Sequence, residues 1–206
     1  MAKINKPQFN ISGKLGDYVY YNWKGVQVMR KKPAPRKTAL SEKELQHRSR
    51  FAFITKFLLP LKSLIGQSFT PNGMTSFNKA VSVNFKNVII GSYPDWQIDF
   101  GNFTLGEGNT AGPADLLVNT QQDGHLLLSW NGKSQRKGAN SRDRLWIAIY
   151  CESLQKWLIK IDIAYRKDGS FNLNPDISGY PLHIYLGFIS DFWGGGSVGQ
   201  YIGILT

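Results

Sequence analysis

The sequence predicts an α+β protein in which a β-hairpin and two helices precede an all-β sandwich. Three observations support this prediction. Strand-like segments flank a turn within residues 14–32, two helical patterns occupy residues 40–91, and seven short strand-like segments recur beyond residue 113. The 206 residues are 42% apolar, which is enough to bury a hydrophobic core.

The predicted hairpin lies in KLGDYVYYNWKGVQVMRKK, where DYVYYN and VQVMRK have the composition of strands. The glycine of WKG between them suits a tight turn. Side chains alternate between the two faces of a strand. The side chains expected to face a core are Val19, Tyr21, Val26 and Val28. Tyr18 and Tyr20 then lie on the opposite face.

The hairpin and the connector KKPAPRK after it form the candidate contact site. Its residues are Tyr18, Tyr20, Trp23, Lys24, Arg30, Lys31, Lys32, Arg36 and Lys37. Exposed aromatic rings beside cations suit base stacking and phosphate contact. A hairpin of this size also needs a core or a subunit to cover one face. The sequence therefore leaves nucleic acid and protein open as partners.

The net charge of +11 is concentrated at the amino terminus. The first 62 residues hold fourteen Lys and Arg against three Asp and Glu, and the remaining residues are balanced. This asymmetry indicates either an anionic partner or a solvated basic surface in the first part of the chain.

The first helix has the clearest start signal. Ser41 and Glu44 have the spacing of a capping box, and apolar residues then recur at intervals of three and four. Pro60 is expected to kink or divide this helix, and Gly66 is expected to end it. Thr75 or Ser76 is expected to cap the second helix, which carries Phe77, Val81, Phe85 and Val88 on one face.

Residues 93–108, YPDWQIDFGNFTLGEG, predict one or two short strands. The glycine-rich GEGNTAGP, residues 106–113, predicts a linker. It separates two expected domains: a basic hairpin–helix module, residues 1–106, and a sandwich, residues 113–206.

Seven strand-like segments follow the predicted linker: ADLLVNT, HLLLSWN, RLWIAIYC, KWLIKIDIA, SFNLN, PLHIYLGFIS and VGQYIGIL. GGGSVG satisfies a dinucleotide-binding pattern, but a strand follows it instead of a helix, so it predicts a hairpin turn. Seven short strands in this length are typical of an immunoglobulin or fibronectin type III sandwich. The single Cys151 excludes an internal disulfide, which favours the fibronectin-like variant.

Two resemblances follow from these segments. HLLLSW and RLWIAIY resemble the second and third strands of a fibronectin type III domain, with Trp130 in the core, and Tyr180 lies near the position of its corner tyrosine. SGKLGDYVYYNWKGVQVMRKKP, RSRFAFITKFLLPLKSLI and MTSFNKAVSVNFKNVIIGSYPDW resemble an uncharacterised family of bacterial proteins over nearly the whole chain. That resemblance implies an architecture and no activity.

Signatures of catalysis and ligand binding are missing from the sequence. His47, His125 and His183 lie in no nucleophile motif, and the chain has no paired cysteines and no calcium-binding loop. We therefore expect no enzymatic activity, metal or cofactor. We also expect no signal peptide and no membrane span, which predicts a cytoplasmic protein or one assembled into a particle.

These observations predict a non-enzymatic structural or interaction protein, for example a subunit of a virion-like or surface assembly. Self-association or a protein partner is expected. The alternative is a nucleic-acid-binding protein that uses its basic amino-terminal module.

Overall fold

The computed structural model describes residues 2–4, 11–23, 25–35, 38–121, 125–133, 135–174 and 180–205. It has the predicted mixed composition, with one long helix and antiparallel strands in several sheets, and strands predominate. The chain divides between Ser41 and Glu42 into two compact units.

The amino-terminal unit is a four-stranded antiparallel sheet. Its strands are β1 (Ala2–Ile4), β2 (Gly13–Leu15), β3 (Tyr18–Trp23) and β4 (Val26–Lys31), in the order β1-β4-β3-β2. Strands β3 and β4 form the predicted hairpin. At its turn the Gly25 N–H donates to the Asn22 side chain at 2.8 Å, and Gly25 has a φ of 81°, a conformation that favours glycine. The outer strands β1 and β2 were not predicted.

The second unit begins with helix α1 (Glu42–Leu58), directly after Ser41 as the capping pattern predicts. Pro60 lies in a 3₁₀ turn, and α2 (Lys62–Ser68) follows, so the proline divides the helix as expected. Gly66 was predicted to end this helix, and this is wrong. Gly66 does not adopt the left-handed conformation of a helix-ending glycine, and the chain becomes extended only at Phe69.

Helix α3 (Ser76–Asn87) starts at the predicted cap, because the Thr75 hydroxyl accepts the Asn78 N–H at 3.2 Å. A short hairpin of β5 (Ile89–Ser92) and β6 (Asp95–Ile98) follows. All seven later strands form where the sequence predicts them. They are β7 (Leu117–Thr120), β8 (Leu126–Ser129), β9 (Arg144–Cys151), β10 (Lys156–Tyr165), β11 (Ser170–Leu173), β12 (Leu182–Ile189) and β13 (Gln200–Leu205).

These seven strands form a three-stranded sheet, β11-β8-β7, and a four-stranded sheet, β10-β9-β12-β13. The two sheets share one hydrophobic core, which includes Leu128, Trp130, Ile147 and Ile184. The three helices share a second core with the other side chains of the four-stranded sheet, including Trp146 and Tyr185. Strands β9 and β12 are therefore buried on both faces.

The segment 106–113 is packed and does not behave as the predicted linker. Glu107 forms a parallel bridge with Phe69, and the Ser197 carbonyl leaves no room for a Cβ at Gly106. The Arg166 guanidinium donates to the carbonyl oxygens of Ala111 and Gly112 at 2.5 and 3.2 Å. The division into units falls at residue 41 because the helices share a core with β9 and β12.

Candidate binding sites

The strand register divides the predicted contact residues between the two faces of the amino-terminal sheet. Residues opposite each other in an antiparallel pair share a face. Tyr18 lies opposite Lys31, and Tyr20 lies opposite Met29. Val19, Tyr21 and Trp23 point to the other face, opposite Arg30, Val28 and Val26. The register places Tyr18 and Tyr20 on the face opposite the valines. Of the valines expected to face a core, Val28 is buried, whereas Val26 is exposed.

Each face of this sheet exposes large apolar side chains. On the first face Leu15 lies opposite Tyr18, and their exposed fractions are 67% and 43%. On the second face the exposed fraction of Trp23 is 55%, and Val26 beside it is also exposed. Leu15 was not among the predicted contact residues, although it alternates with Lys14 in the short segment GKL.

The predicted cations do not form one patch within the described residues. Arg30 lies on the Trp23 face, with its guanidinium carbon 5.7 Å from the centre of the Tyr21 ring. Lys31 lies on the Tyr18 face, and Lys32 follows the strand. Lys24, Arg36 and Lys37 lie outside the described residues.

A second candidate site is a cavity of about 450 Å³ in the larger unit, between α1, β6 and the β9–β10 hairpin. Its lining residues are Phe53, Lys56, Phe57, Pro60, Trp96, Gln97, Ile98, Phe100, Tyr150, Glu152, Gln155 and Trp157. We call this cavity the aromatic pocket. The five Phe and Trp rings in it are half-buried, whereas the charged and amide residues at its rim are exposed.

The walls of the aromatic pocket consist of aromatic side chains in contact with one another. Phe57 meets Tyr150 and Trp157 edge-to-face, with centroids 5.0 and 5.3 Å apart. Tyr150 and Trp157 are also cross-strand partners on β9 and β10. Offset and edge-to-face contacts of this kind stabilise aromatic clusters beyond the area that they bury.

His183 supports one wall of this pocket from β12. Its ring stacks on Phe100 with centroids 3.6 Å apart, and its Nδ1 lies 2.8 Å from the Tyr201 hydroxyl. Its Nε2 is 3.7 Å from the Glu152 carboxylate. Burial lowers the pKa of His183, and the Glu152 carboxylate opposes that shift. The neutral ring is therefore favoured, which suits stacking against an apolar neighbour.

Burial also raises the pKa of the Tyr150 phenol, and the charge of Glu152 adds to that shift. The pocket wall is thus neutral near pH 7, and its charges lie at the rim on Lys56 and Glu152. Among the described residues, no group of three or more His, Cys, Asp and Glu could hold a metal ion. In the same part of the chain, no helix is long and apolar enough to cross a membrane.

The aromatic pocket was not predicted, because α1, β6, the β9–β10 hairpin and the segments beside them build it together. One signal was present. Tyr150 and Trp157 flank the hairpin turn CESLQK at positions that place them opposite each other. The contributions of α1 and β6 depend on how the helices pack on the sheet, which local patterns do not determine.

The fold and these two sites define a strand-rich α and β protein with a separate basic amino-terminal sheet. The chain belongs to the Family of unknown function (DUF6266), whose model matches residues 10–203. This confirms the resemblance to an uncharacterised family over nearly the whole chain. No curated protein matches the sequence.

Proposed function

We propose that this protein is a non-enzymatic structural or interaction protein that assembles through its amino-terminal sheet. Its foremost partner is a second copy of the same chain, within a larger assembly such as a particle or a surface array. A fibronectin type III-like sandwich in the larger unit serves as its rigid body.

The strand order supports the fibronectin-like assignment. In an immunoglobulin sandwich, strands A to G form the sheets ABED and CFG. If β7 to β13 are named A to G, the sheets here are E-B-A and D-C-F-G. The arrangement is the same except that strand D, here β10, lies in the sheet with C, F and G instead of the sheet with A, B and E. Trp130 lies in the shared core, as the resemblance implies, whereas Tyr180 is exposed and departs from the corner-tyrosine pattern.

The observation that carries the assembly proposal is that both faces of the amino-terminal sheet expose large apolar side chains. A small sheet gains stability by covering an apolar face. Here Leu15 and Tyr18 are exposed on one face and Trp23 on the other. Exposed apolar groups rimmed by cations mark contact surfaces on soluble proteins. Covering either face with a second copy would remove this apolar area from water.

The same geometry favours a protein partner over nucleic acid. A stacking platform needs aromatic rings and cations on one surface. Tyr18 and Lys31 lie on one face and Trp23 and Arg30 on the other, so the predicted rings and cations are divided between two surfaces and do not form one continuous platform. The Tyr21 ring already has the Arg30 guanidinium as a neighbour.

Light scattering of the full-length protein during size-exclusion chromatography tests the proposal. We expect a dimer or larger species at high protein concentration, and a monomer for the Leu15→Ser/Tyr18→Ser variant. The control is Leu117→Ser, which removes an equally exposed leucine, 63% exposed, from a strand of the larger unit. Removal of residues 1–37 should also abolish association while the circular dichroism spectrum stays β-rich. A monomeric wild-type protein would overturn the proposal.

Fluorescence anisotropy with a labelled single-stranded DNA tests the alternative, a nucleic-acid partner. Phosphate contacts release counterions, so nucleic-acid binding would weaken steeply with added salt. We expect no salt-dependent binding. Binding that is lost when Arg30, Lys31 and Lys32 are neutralised would support a nucleic-acid partner instead.

A further inference from the structure

We propose that the aromatic pocket of the larger unit binds a neutral saccharide of one or two sugar rings. This inference does not depend on the assembly proposed for the amino-terminal sheet. It rests on an apolar aromatic wall and a rim of mixed hydrogen-bonding groups in one cavity.

The wall fits the apolar side of a sugar. A pyranose ring presents C–H groups on one face, and these pack against the faces of aromatic rings. Phe53, Phe57, Trp96, Phe100 and Trp157 are half-buried, so part of each ring remains open to the cavity or to solvent. The cavity of about 450 Å³ falls within the range of roughly 300–1,000 Å³ that ligand pockets occupy.

The rim fits the polar side of a sugar. Hydroxyl groups both donate and accept hydrogen bonds, so they need partners of both kinds. Lys56 donates, Glu152 accepts, and the amides of Gln97 and Gln155 do both. All four residues are exposed at the mouth of the cavity.

The charge balance of the rim favours a neutral ligand. An aromatic cavity with a carboxylate can also hold a quaternary ammonium group through cation–π attraction. Here Lys56 places a positive charge at the same rim, which would repel that ligand. Glu152 would likewise repel an anion. A neutral sugar ring is repelled by neither charge.

Several contacts hold the wall in place before a ligand arrives. The Trp96 indole N–H donates to the Ser49 hydroxyl at 3.1 Å, and the Tyr185 hydroxyl donates to the Phe100 carbonyl at 2.7 Å. The His183 ring stacks on Phe100 from the side of β12. Groups that are already ordered lose little entropy on binding.

The test is saturation-transfer NMR on the full-length protein with cellobiose, maltose, lactose and N,N′-diacetylchitobiose, and with choline as the cationic probe. We expect transfer to the ring protons of at least one saccharide and none to choline. Absence of transfer to all four saccharides would overturn the proposal. Transfer to choline alone would also overturn it and would indicate a quaternary ammonium ligand.

Two variants test whether the saccharide binds in the aromatic pocket. Gln155 has a φ of 49°, so Gln155→Gly removes the amide and relieves backbone strain, which protects the fold. Gln97→Ala removes the second amide from an exposed strand position. Each should raise the dissociation constant of the bound saccharide about 2- to 12-fold, the equivalent of one lost hydrogen bond.

The matched control is Asp115→Gly, which makes the same backbone change at a φ of 54° outside the pocket. It should leave saccharide binding unchanged. Equal binding by the wild type and by both pocket variants would place the saccharide elsewhere and overturn the proposal.

Discussion

At the scale of single residues, Arg166 determines how the segment 106–113 is held. Its side chain is fully buried, and its Nε donates to Asp143 Oδ2 at 2.9 Å. Its other nitrogens donate to the carbonyl oxygens of Ala111 and Gly112, and its guanidinium carbon lies 4.0 Å from the centre of the Phe188 ring. Burial lowers the pKa of Arg166, and Asp143 opposes that shift.

We predict that Asp143→Asn destabilises the protein by about 3–5 kcal/mol, because it leaves a buried guanidinium without its counter-charge. The control is Asp191→Asn, which removes an exposed partner of Arg144 at 2.7 Å and should cost about 0–1 kcal/mol. Urea unfolding monitored by circular dichroism measures both free energies of unfolding. Equal losses in the two variants would contradict the assigned role of Arg166.

At the scale of elements, β12 is packed so closely that it needs a glycine. An ideal Cβ at Gly187 would lie 2.6 Å from the Trp146 ring and 2.7 Å from the Ser197 hydroxyl. Strand β12 is covered on both faces, so neither neighbour has free space to move into. The glycine therefore allows β12 to lie this close to Trp146 and Ser197.

We predict that Gly187→Ala destabilises the protein by about 1–3 kcal/mol through overpacking. The same substitution at Gly66, which lies inside α2 with nothing within 4 Å of its Cβ position, should stabilise the protein by about 0.5–1 kcal/mol. Thermal melts should show a lower melting temperature for Gly187→Ala and a higher one for Gly66→Ala. A neutral Gly187→Ala variant would show that the contact relaxes without cost.

At the scale of the whole molecule, the helices and the four-stranded sheet of the larger unit share one hydrophobic core. Trp146, Ala148 and Tyr185 belong to the four-stranded sheet, yet their side chains are buried in the core that includes α1, α2 and α3. A fragment without the helices would expose all three to water. Residues 113–206, expected from the sequence to form a domain of their own, include none of the helical residues of this core.

We therefore predict that residues 42–206 unfold cooperatively, whereas residues 113–206 bind a hydrophobic dye and lack a cooperative thermal transition. The longer fragment keeps both cores, whereas the shorter one loses most of the described residues of the core that the helices share with the four-stranded sheet. Differential scanning calorimetry and dye fluorescence compare the two fragments. A cooperative transition in residues 113–206 at the melting temperature of residues 42–206 would refute this prediction.

Local patterns in the sequence determined most of the elements. The hairpin, the division of the helix at Pro60, the Thr75 cap and the seven later strands follow from side-chain alternation, proline geometry and capping chemistry, which act over a few residues. The continuous apolar runs of β9 and β12 also fit strands that are buried on both faces.

Only the tertiary structure decided how these elements combine. The glycine-rich segment 106–113 has the composition of a linker, but Arg166 and Phe69, distant in sequence, hold it in place. The aromatic pocket exists because α1 and β6 meet the β9–β10 hairpin. Contacts between residues far apart in the chain leave no local pattern, and for that reason the unit boundary and the pocket were not predicted.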